Sequence, residues 1–244
     1  MMIDYLTIIF RNYELLDIQR SILDSLLDKN EYRLIIIDNT PDSEKKPIDK
    51  RDNEILEFRN SVNEFDGISH GLALDYGLSF VKTNIVCILD SDFFLLYKNI
   101  HEYIFDKFNQ GYKAIGADWH DGDATIPVVN SFPEKFKDIP CCFCGYYETE
   151  LAKSNSWAIA PWEIDRSTSF IEVGWRIRKY ILENQIKTLS WKSDSIGYGN
   201  CYFKNENQEL MGVHYVAGSH RRWNQNSKNE IYNYLRNYIN DIQN

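Results

Sequence analysis

Ile85-Val-Cys-Ile-Leu-Asp90-Ser91-Asp92 is a continuous apolar run, long enough for one strand buried on both faces, that stops abruptly at two carboxylates flanking a serine. On an extended backbone, residues two apart project to the same side, so Asp90 and Asp92 are read as sharing one hard divalent cation whose other ligands are usually phosphates. Asp-Ser-Asp is also ordinary turn chemistry that caps a following helix. The metal reading gains from the segment just upstream, Gly67 to Asn84. Its apolar residues at 68, 72, 74, 78 and 81 predict a helix that enters the strand through a polar turn.

Outward from this unit, the first half alternates strand and helix. Leu6-Thr-Ile-Ile-Phe10 predicts a short buried strand, Asn12 a helix cap, and Leu15, Ile18, Ile22 and Leu26 the apolar stripe of a helix. Arg33-Leu-Ile-Ile-Ile-Asp38-Asn39-Thr40-Pro41 predicts a second buried strand ending in a polar turn. The charged segment 42–53 reads as a loop or surface helix, and Ile55-Leu-Glu-Phe58 as a third, weaker strand. The alternation predicts an open α/β sheet, in which ligands gather at the carboxyl ends of the strands. Phe10-Arg11-Asn12, Asp38-Asn39 and Asp90-Ser91-Asp92 thereby become one cleft.

These features resemble the GT-A glycosyltransferases, especially family 2-like members, in which a helix with a small-residue-rich face runs into a strand ending in Asp-x-Asp. The resemblance implies a Rossmann-like, mostly parallel central sheet flanked by helices, and a nucleoside diphosphate sugar donor bound through Mn²⁺ or Mg²⁺. Carried onto this chain, it places Arg11 on the nucleotide and Asp38 on the base. Asn63, Asp66 and His70 then face the diphosphate, with Asp90, Ser91 and Asp92 at the metal and donor. Asp38 is equally a turn former beside Asn39, and a helix histidine such as His70 is often simply packed.

The second half is less regular and richer in aromatics, as expected of a part that accepts a sugar. Lys113-Ala-Ile-Gly-Ala-Asp118-Trp119 reads as a further strand, and Pro140-Cys-Cys-Phe-Cys-Gly145-Tyr-Tyr resembles the family's aromatic stretch before its acceptor-side helix. Tyr146, Tyr147, Trp157 and Trp162 are candidates to stack on sugars or bases, though such rings also fill cores. Residues 154–170 read as an ordered or closing loop.

Phe170-Ile-Glu172-Val-Gly174-Trp175-Arg-Ile-Arg178-Lys-Tyr-Ile-Leu182 reads as a helix opened by an acid and a glycine. The resemblance, with Arg178 six residues after Glu172, implies that Glu172 is the base that takes the acceptor proton in an inverting reaction. The family's usual Glu-Asp pair is here Ile171-Glu172, so Glu163 and Asp165 stay open as substitutes. An acid at a helix start is also favoured by the helix dipole alone.

In Met211-Gly-Val-His214-Tyr-Val-Ala-Gly218-Ser219-His220-Arg221-Arg222-Trp223, His214 resembles the family's late metal-binding histidine, with His220 as competitor. Arg221 and Arg222 would grip the departing diphosphate. An imidazole beside two carboxylates suits Mn²⁺ better than Mg²⁺. Lys228 to Gln243, with apolar residues at helical spacing, reads as a packing helix.

The chain has 244 residues, 43% hydrophobic and 14% aromatic, enough for one substantial core. The reading is one GT-A-like domain over 1–244, with a donor half at 1–110, an acceptor half at 111–225 and a C-terminal helix at 226–244. No apolar run approaches the roughly 20 residues that span a bilayer, and Met-Met-Ile-Asp-Tyr carries no basic leader, so a cytoplasmic protein without a transmembrane segment is expected. Five cysteines, an odd number, argue against a disulfide framework. The net charge of -9 disfavours broad adhesion to nucleic acid or anionic lipid. Local basic patches remain possible at Arg176, Arg178 and Lys179, and at His220-Arg221-Arg222.

The expected activity is metal-dependent transfer of a sugar to a hydroxyl acceptor: a glycan, a lipid-linked saccharide, a protein or a modified nucleobase. The alternatives are a nucleotidyltransferase, disfavoured because no glycine-rich basic loop follows the first strand, and an inactive carbohydrate-binding protein on the same scaffold.

Overall fold

The computed structural model describes residues 2–60, 66–118, 138–158, 173–193, 200–215 and 225–243. The first half holds strand β1 (Ile3–Ile9), helix α1 (Tyr13–Leu26), β2 (Tyr32–Asp38), a 3-10 turn (Asp42–Glu44), β3 (Glu54–Phe58), α2 (Asp66–Leu78) and β4 (Ile85–Leu89). Then follow β5 (Phe93–Leu95), α3 (Ile100–Asn109), β6 (Ala114–Ala117), β7 (Cys144–Glu148) and α4 (Thr149–Lys153). The chain closes with α5 (Trp175–Glu183), β8 (Thr188–Ser193), β9 (Asn200–Lys204), β10 (Leu210–Tyr215) and α6 (Gln225–Gln243).

The strands form one ten-stranded sheet in the order β3-β2-β1-β4-β7-β6-β8-β9-β10-β5. β3, β2, β1 and β4 pair in parallel, and β7, β9 and β5 are the strands that run against the rest, so seven of the ten share one direction. This is the mixed, mostly parallel α/β architecture expected. Every residue of β1 and β4 is buried, as continuous apolar strands in the middle of a covered sheet must be. α2 packs on β1 and β2, whereas α1 packs on β5 and α6. The small-residue face of α2 has a steric cause: a methyl on Gly71 would stand 2.4 Å from the Ala158 Cα, so only glycine lets the two backbones approach.

Two buried ion pairs fix the strand ends. Asp4, fully buried in β1, accepts from Arg33 Nε at 2.9 Å and Nη2 at 2.7 Å, and from the Lys82 amide at 2.8 Å, which pins the turn between α2 and β4. Arg20 of α1 grips Glu54 of β3 through Nε at 2.8 Å and Nη2 at 2.6 Å, and Glu54 also accepts the Arg51 amide at 2.9 Å. Both side chains are almost wholly buried. Glu54→Ala is therefore expected to destabilise the protein by roughly 3 kcal/mol, because it strands a buried guanidinium rather than because the pair itself is worth that much. Urea unfolding measures this, and a loss below about 1 kcal/mol would show that water reaches Arg20 in the variant.

The five cysteines are all buried and none is disulfide-bonded, consistent with structural thiols. No helix among the described residues is long and apolar enough to cross a membrane. The expected packing helix is α6, whose Leu235 is fully buried and whose Tyr238 and Ile239 lie against the core.

Candidate active site

The carboxyl ends of β1, β2 and β4 meet at one edge of the sheet, and backbone and side-chain bonds join them. The Arg11 amide donates to Thr40 Oγ1 at 2.9 Å, the Asn39 amide to the Ile9 carbonyl at 2.9 Å, and Asn12 Nδ2 to Ser91 Oγ at 2.6 Å. Asn12 thus occupies the helix-cap position without capping; its Oδ1 instead accepts the Phe10 amide at 2.9 Å, and its amide group braces the acid turn. Gln19, buried on the inner face of α1, donates to the Asp90 carbonyl at 2.9 Å and the Phe93 carbonyl at 3.3 Å. Sequence reading missed both braces. The available signal was a glutamine within the apolar stripe of α1.

Asp90 and Asp92 are not on an extended backbone. The Phe93 amide donates to the Asp90 carbonyl at 3.0 Å, closing a four-residue turn between β4 and β5. In that turn the two carboxylates meet different imidazoles. Asp92 Oδ1 lies 3.4 Å from His214 Nε2, and Asp90 Oδ1 lies 3.3 Å from His70 Nε2. Among the described residues no three His, Cys, Asp or Glu side chains form a ready-made cage. Four donors stand instead as two pairs on one turn.

Topology explains His214. β5 begins directly after the turn and pairs antiparallel with β10, setting His214 opposite Phe93. The Tyr215 amide then donates to the Asp92 carbonyl at 2.8 Å. The imidazole stacks on Phe143 at 4.4 Å with 13° between the planes, so its orientation is fixed by packing. Both His214 and Asp92 are nearly inaccessible, with side chains 8% exposed. His220, the competing ligand, lies outside the described residues.

His70 projects from α2 toward the turn, with Nε2 3.3 Å from Asp90 Oδ1. Burial alone would push its pKa down, yet the Asp90 carboxylate, with a smaller contribution from Asp92, raises it above the ordinary value. Ser91, 5% exposed, is held by Asn12.

Asp38 takes the turn role and not the base-binding one. It is fully buried, with Oδ2 accepting from Tyr13 Oη at 3.0 Å and Oδ1 from the Thr40 amide at 3.0 Å, which leaves no carboxylate surface facing a ligand. Arg11 sits in the left-handed region at φ 66°, its guanidinium 4.5 Å above the Phe10 ring and paired with Glu44. It remains partly exposed at the cleft edge.

Several second-half candidates are core residues. Tyr146 and Tyr147 are neighbours on β7, which runs between β4 and β6, and both are fully buried because both sheet faces are covered there. Trp157 is 1% exposed and donates from Nε1 to the Ala152 carbonyl at 2.9 Å. Burial removes all three from sugar stacking. Arg178, read as a surface cation, is also buried, 4.0 Å from Asp118 and 3.4 Å from the Ile139 carbonyl. Asn63, Trp162, Glu163, Asp165, Glu172, Arg221 and Arg222 lie outside the described residues. α5 starts at Trp175 with Gly174 in the left-handed region at φ 79° as its cap.

Known structures give partial likenesses. Staphylococcus aureus TarS 1-349 in complex with UDP is 13% identical over 66% of this chain and 50% of its own, with a TM-score of 0.45. The mannosyltransferase PcManGT from Pyrobaculum calidifontis, solved with GDP-Man and Mn²⁺, is 15% identical over 62% of this chain and 46% of its own, with a TM-score of 0.44. The galactosyltransferase LgtC, in complex with donor and acceptor sugar analogues, is 13% identical over 63% and 60% of the two chains, with a TM-score of 0.46. This chain therefore spans about half the length of the first two. No protein-family model matches the sequence. No curated protein matches it either. At these identities and TM-scores, the fold assignment rests on the strand order and on the crossovers through α1 and α2.

Proposed function

We propose that this chain is a glycosyltransferase of GT-A type that moves a sugar from a nucleoside diphosphate sugar to a hydroxyl acceptor, with a divalent cation held by Asp90, Asp92 and His214. The observation that carries this reading is the Asp92–His214 pair: residues 122 positions apart in sequence are brought to 3.4 Å at the carboxyl edge of the sheet, where open α/β folds bind ligands. The residues fit the cation chemically, since carboxylate oxygens and imidazole nitrogens together suit a first-row ion such as Mn²⁺. Such an ion, when bound, would neutralise charge growing on the departing diphosphate.

The chain's own residues supply the remainder. Asn12 and Gln19 hold the acid turn rigid from two sides, so the carboxylates need little reorganisation to receive a ligand. Arg11, on the β1 edge of the same cleft, faces the nucleotide. Arg221 and Arg222 are assigned to the diphosphate and Glu172 to the acceptor proton, on their positions in the sequence motifs. Inversion at the sugar follows if one carboxylate base drives a single displacement.

A screen of nucleoside diphosphate sugars by thermal unfolding, with and without Mn²⁺, tests the function. The cognate donor is expected to raise the melting temperature only when Mn²⁺ is present, because a ligand that binds the native state alone stabilises it in proportion to its occupancy. Stabilisation by free nucleoside triphosphates and by no sugar nucleotide would favour the nucleotidyltransferase reading. Stabilisation by free saccharides alone would favour the carbohydrate-binding one.

A further inference from the structure

We infer that His101 is an acid switch: as a neutral imidazole it fastens helix α3 to the sheet, and on protonation it lets the helix go. The inference is independent of the proposed sugar transfer and concerns a histidine that has no part in that chemistry.

His101 lies on the buried face of α3, with Ile100 and Ile104, and is 7% exposed. Its Nε2 shares a hydrogen bond with Tyr5 Oη of β1 at 3.0 Å, and Tyr5 Oη lies 3.1 Å from Tyr146 Oη of β7, so three elements meet in one buried chain of polar atoms. The imidazole stacks on Tyr5 with ring centres 6.0 Å apart and 18° between the planes, and Phe105 stands 5.7 Å away. Nδ1 is shut off from solvent and has no hydrogen-bond partner. A neutral imidazole tolerates one such atom. An imidazolium does not, because both nitrogens then donate: Tyr5 Oη can accept from Nε2 and donate onward to Tyr146, but the second N–H and the new charge stay buried without an acceptor.

The surroundings supply no compensating charge. Tyr5 from β1, Tyr32 from β2, Cys87 from β4, and Cys144 and Tyr146 from β7 form the polar neighbourhood of the Tyr5 hydroxyl, and phenols and thiols carry no negative charge below about pH 7. On α3 itself Glu102 is exposed. Glu206 of the β9–β10 hairpin faces α3 further along, where it accepts from Tyr103 Oη at 2.8 Å and pairs with Lys107 at 2.6 Å. The terminal amino group of the chain is a cation and opposes a second one. Burial first, and that amino group second, push the His101 pKa down from 6.5 to about 4.

Because the folded value lies below the ordinary one, the unfolded chain takes up the proton first. The stability contributed by neutral His101 is fully present above pH 6.5 and is lost as the pH falls through that value toward about 4. Across this window the unfolding constant rises roughly tenfold per pH unit on account of this one group. The other fastening of α3 does not titrate with it: burial alone would raise the Glu206 pKa, yet the Lys107 hydrogen bond holds it below the ordinary carboxylate value, so that pair stays ionised while the imidazole lock opens. Only Leu96 to Asn99 separate α3 from β5, the strand that follows the acid turn, so the switch adjoins the candidate active site.

The experiment follows urea unfolding of the full chain from about pH 7 to about pH 4.5 in wild type, His101→Gln and His101→Phe. Glutamine keeps a hydrogen-bonding group for Tyr5 and phenylalanine keeps the ring, and neither titrates. Between about pH 6.5 and 4.5 the unfolding constant of the wild type should rise roughly 100-fold more than that of either variant, the carboxylates and the other histidines being common to all three. In the wild type alone, nitrogen-15 imidazole spectra should show His101 neutral to below about pH 5, and the amides of α3 should lose exchange protection at a higher pH than those of β1. The same pH dependence in wild type and variants, or a His101 that titrates near its ordinary value in the folded protein, would overturn the switch. Amides of α3 that stay as protected as those of β1 throughout would overturn release of the helix.

Discussion

Asp92→Ala should abolish Mn²⁺ binding and, with it, the Mn²⁺-dependent stabilisation by a sugar nucleotide. Asp92 sits in the turn with Oδ1 3.4 Å from the β10 histidine, and alanine removes its oxygens without moving the backbone. The Tyr215 amide bonds to the Asp92 main-chain carbonyl, so the link between β10 and the turn survives the substitution. The expected cost in stability is therefore small, about 1 kcal/mol for a lost partner of His214. Asp92→Asn keeps the shape and should lose binding nearly as completely, because an amide cannot supply the charge. Calorimetric titration with Mn²⁺, followed by the same titration in the presence of the stabilising donor, reads both effects. Unchanged affinity in Asp92→Ala would remove the metal from this turn.

The parts of the fold legible in the sequence were those set by local pattern. β1, β2 and β4 announce themselves because parallel strands covered on both faces must be apolar at every position. The glycine-bearing face of α2 was visible for the same reason: its cause, close backbone approach, leaves a compositional trace at Gly71. What stayed hidden depends on distant partners. β5 has three residues and exists as a strand because β10 pairs with it from 121 positions away at Phe93↔His214 and its neighbours, a relation that no window of sequence contains. β8 and β9 are partly exposed and mix charged with aromatic residues, so neither periodicity emerges.

The site divides in the same way. Placement of acids at the strand end followed from the apolar run, whereas His214 was singled out only by its resemblance to a late metal-binding histidine. The extended geometry assumed for Asp90 and Asp92 failed because turn chemistry, weighed at the outset, won locally. Asp38 failed as a ligand because Tyr13, the first residue of α1, reaches its carboxylate first. Tyr146 and Tyr147 failed because adjacent residues on a central strand face opposite sides, and here both sides are covered. The pairing of His70 with Asp90 was out of reach, since it needs the register of α2 on the sheet.

Glu172→Gln should lower turnover by roughly 10²–10⁴-fold while leaving donor and Mn²⁺ affinity intact, the loss typical of removing a general base. Glutamine keeps the length and hydrogen-bonding reach of the side chain, so binding contacts persist and only proton acceptance is removed. The competing explanation is an acid retained to favour a helix dipole. A dipole role would in any case cost no more than about 1 kcal/mol of stability and leave the rate nearly unchanged. Turnover at saturating donor and acceptor, paired with donor affinity by calorimetry, separates the two. A fall in turnover at constant affinity places the base at Glu172. Near-normal turnover would move it to Glu163 or Asp165, or require a retaining displacement in which the acceptor proton leaves by another route.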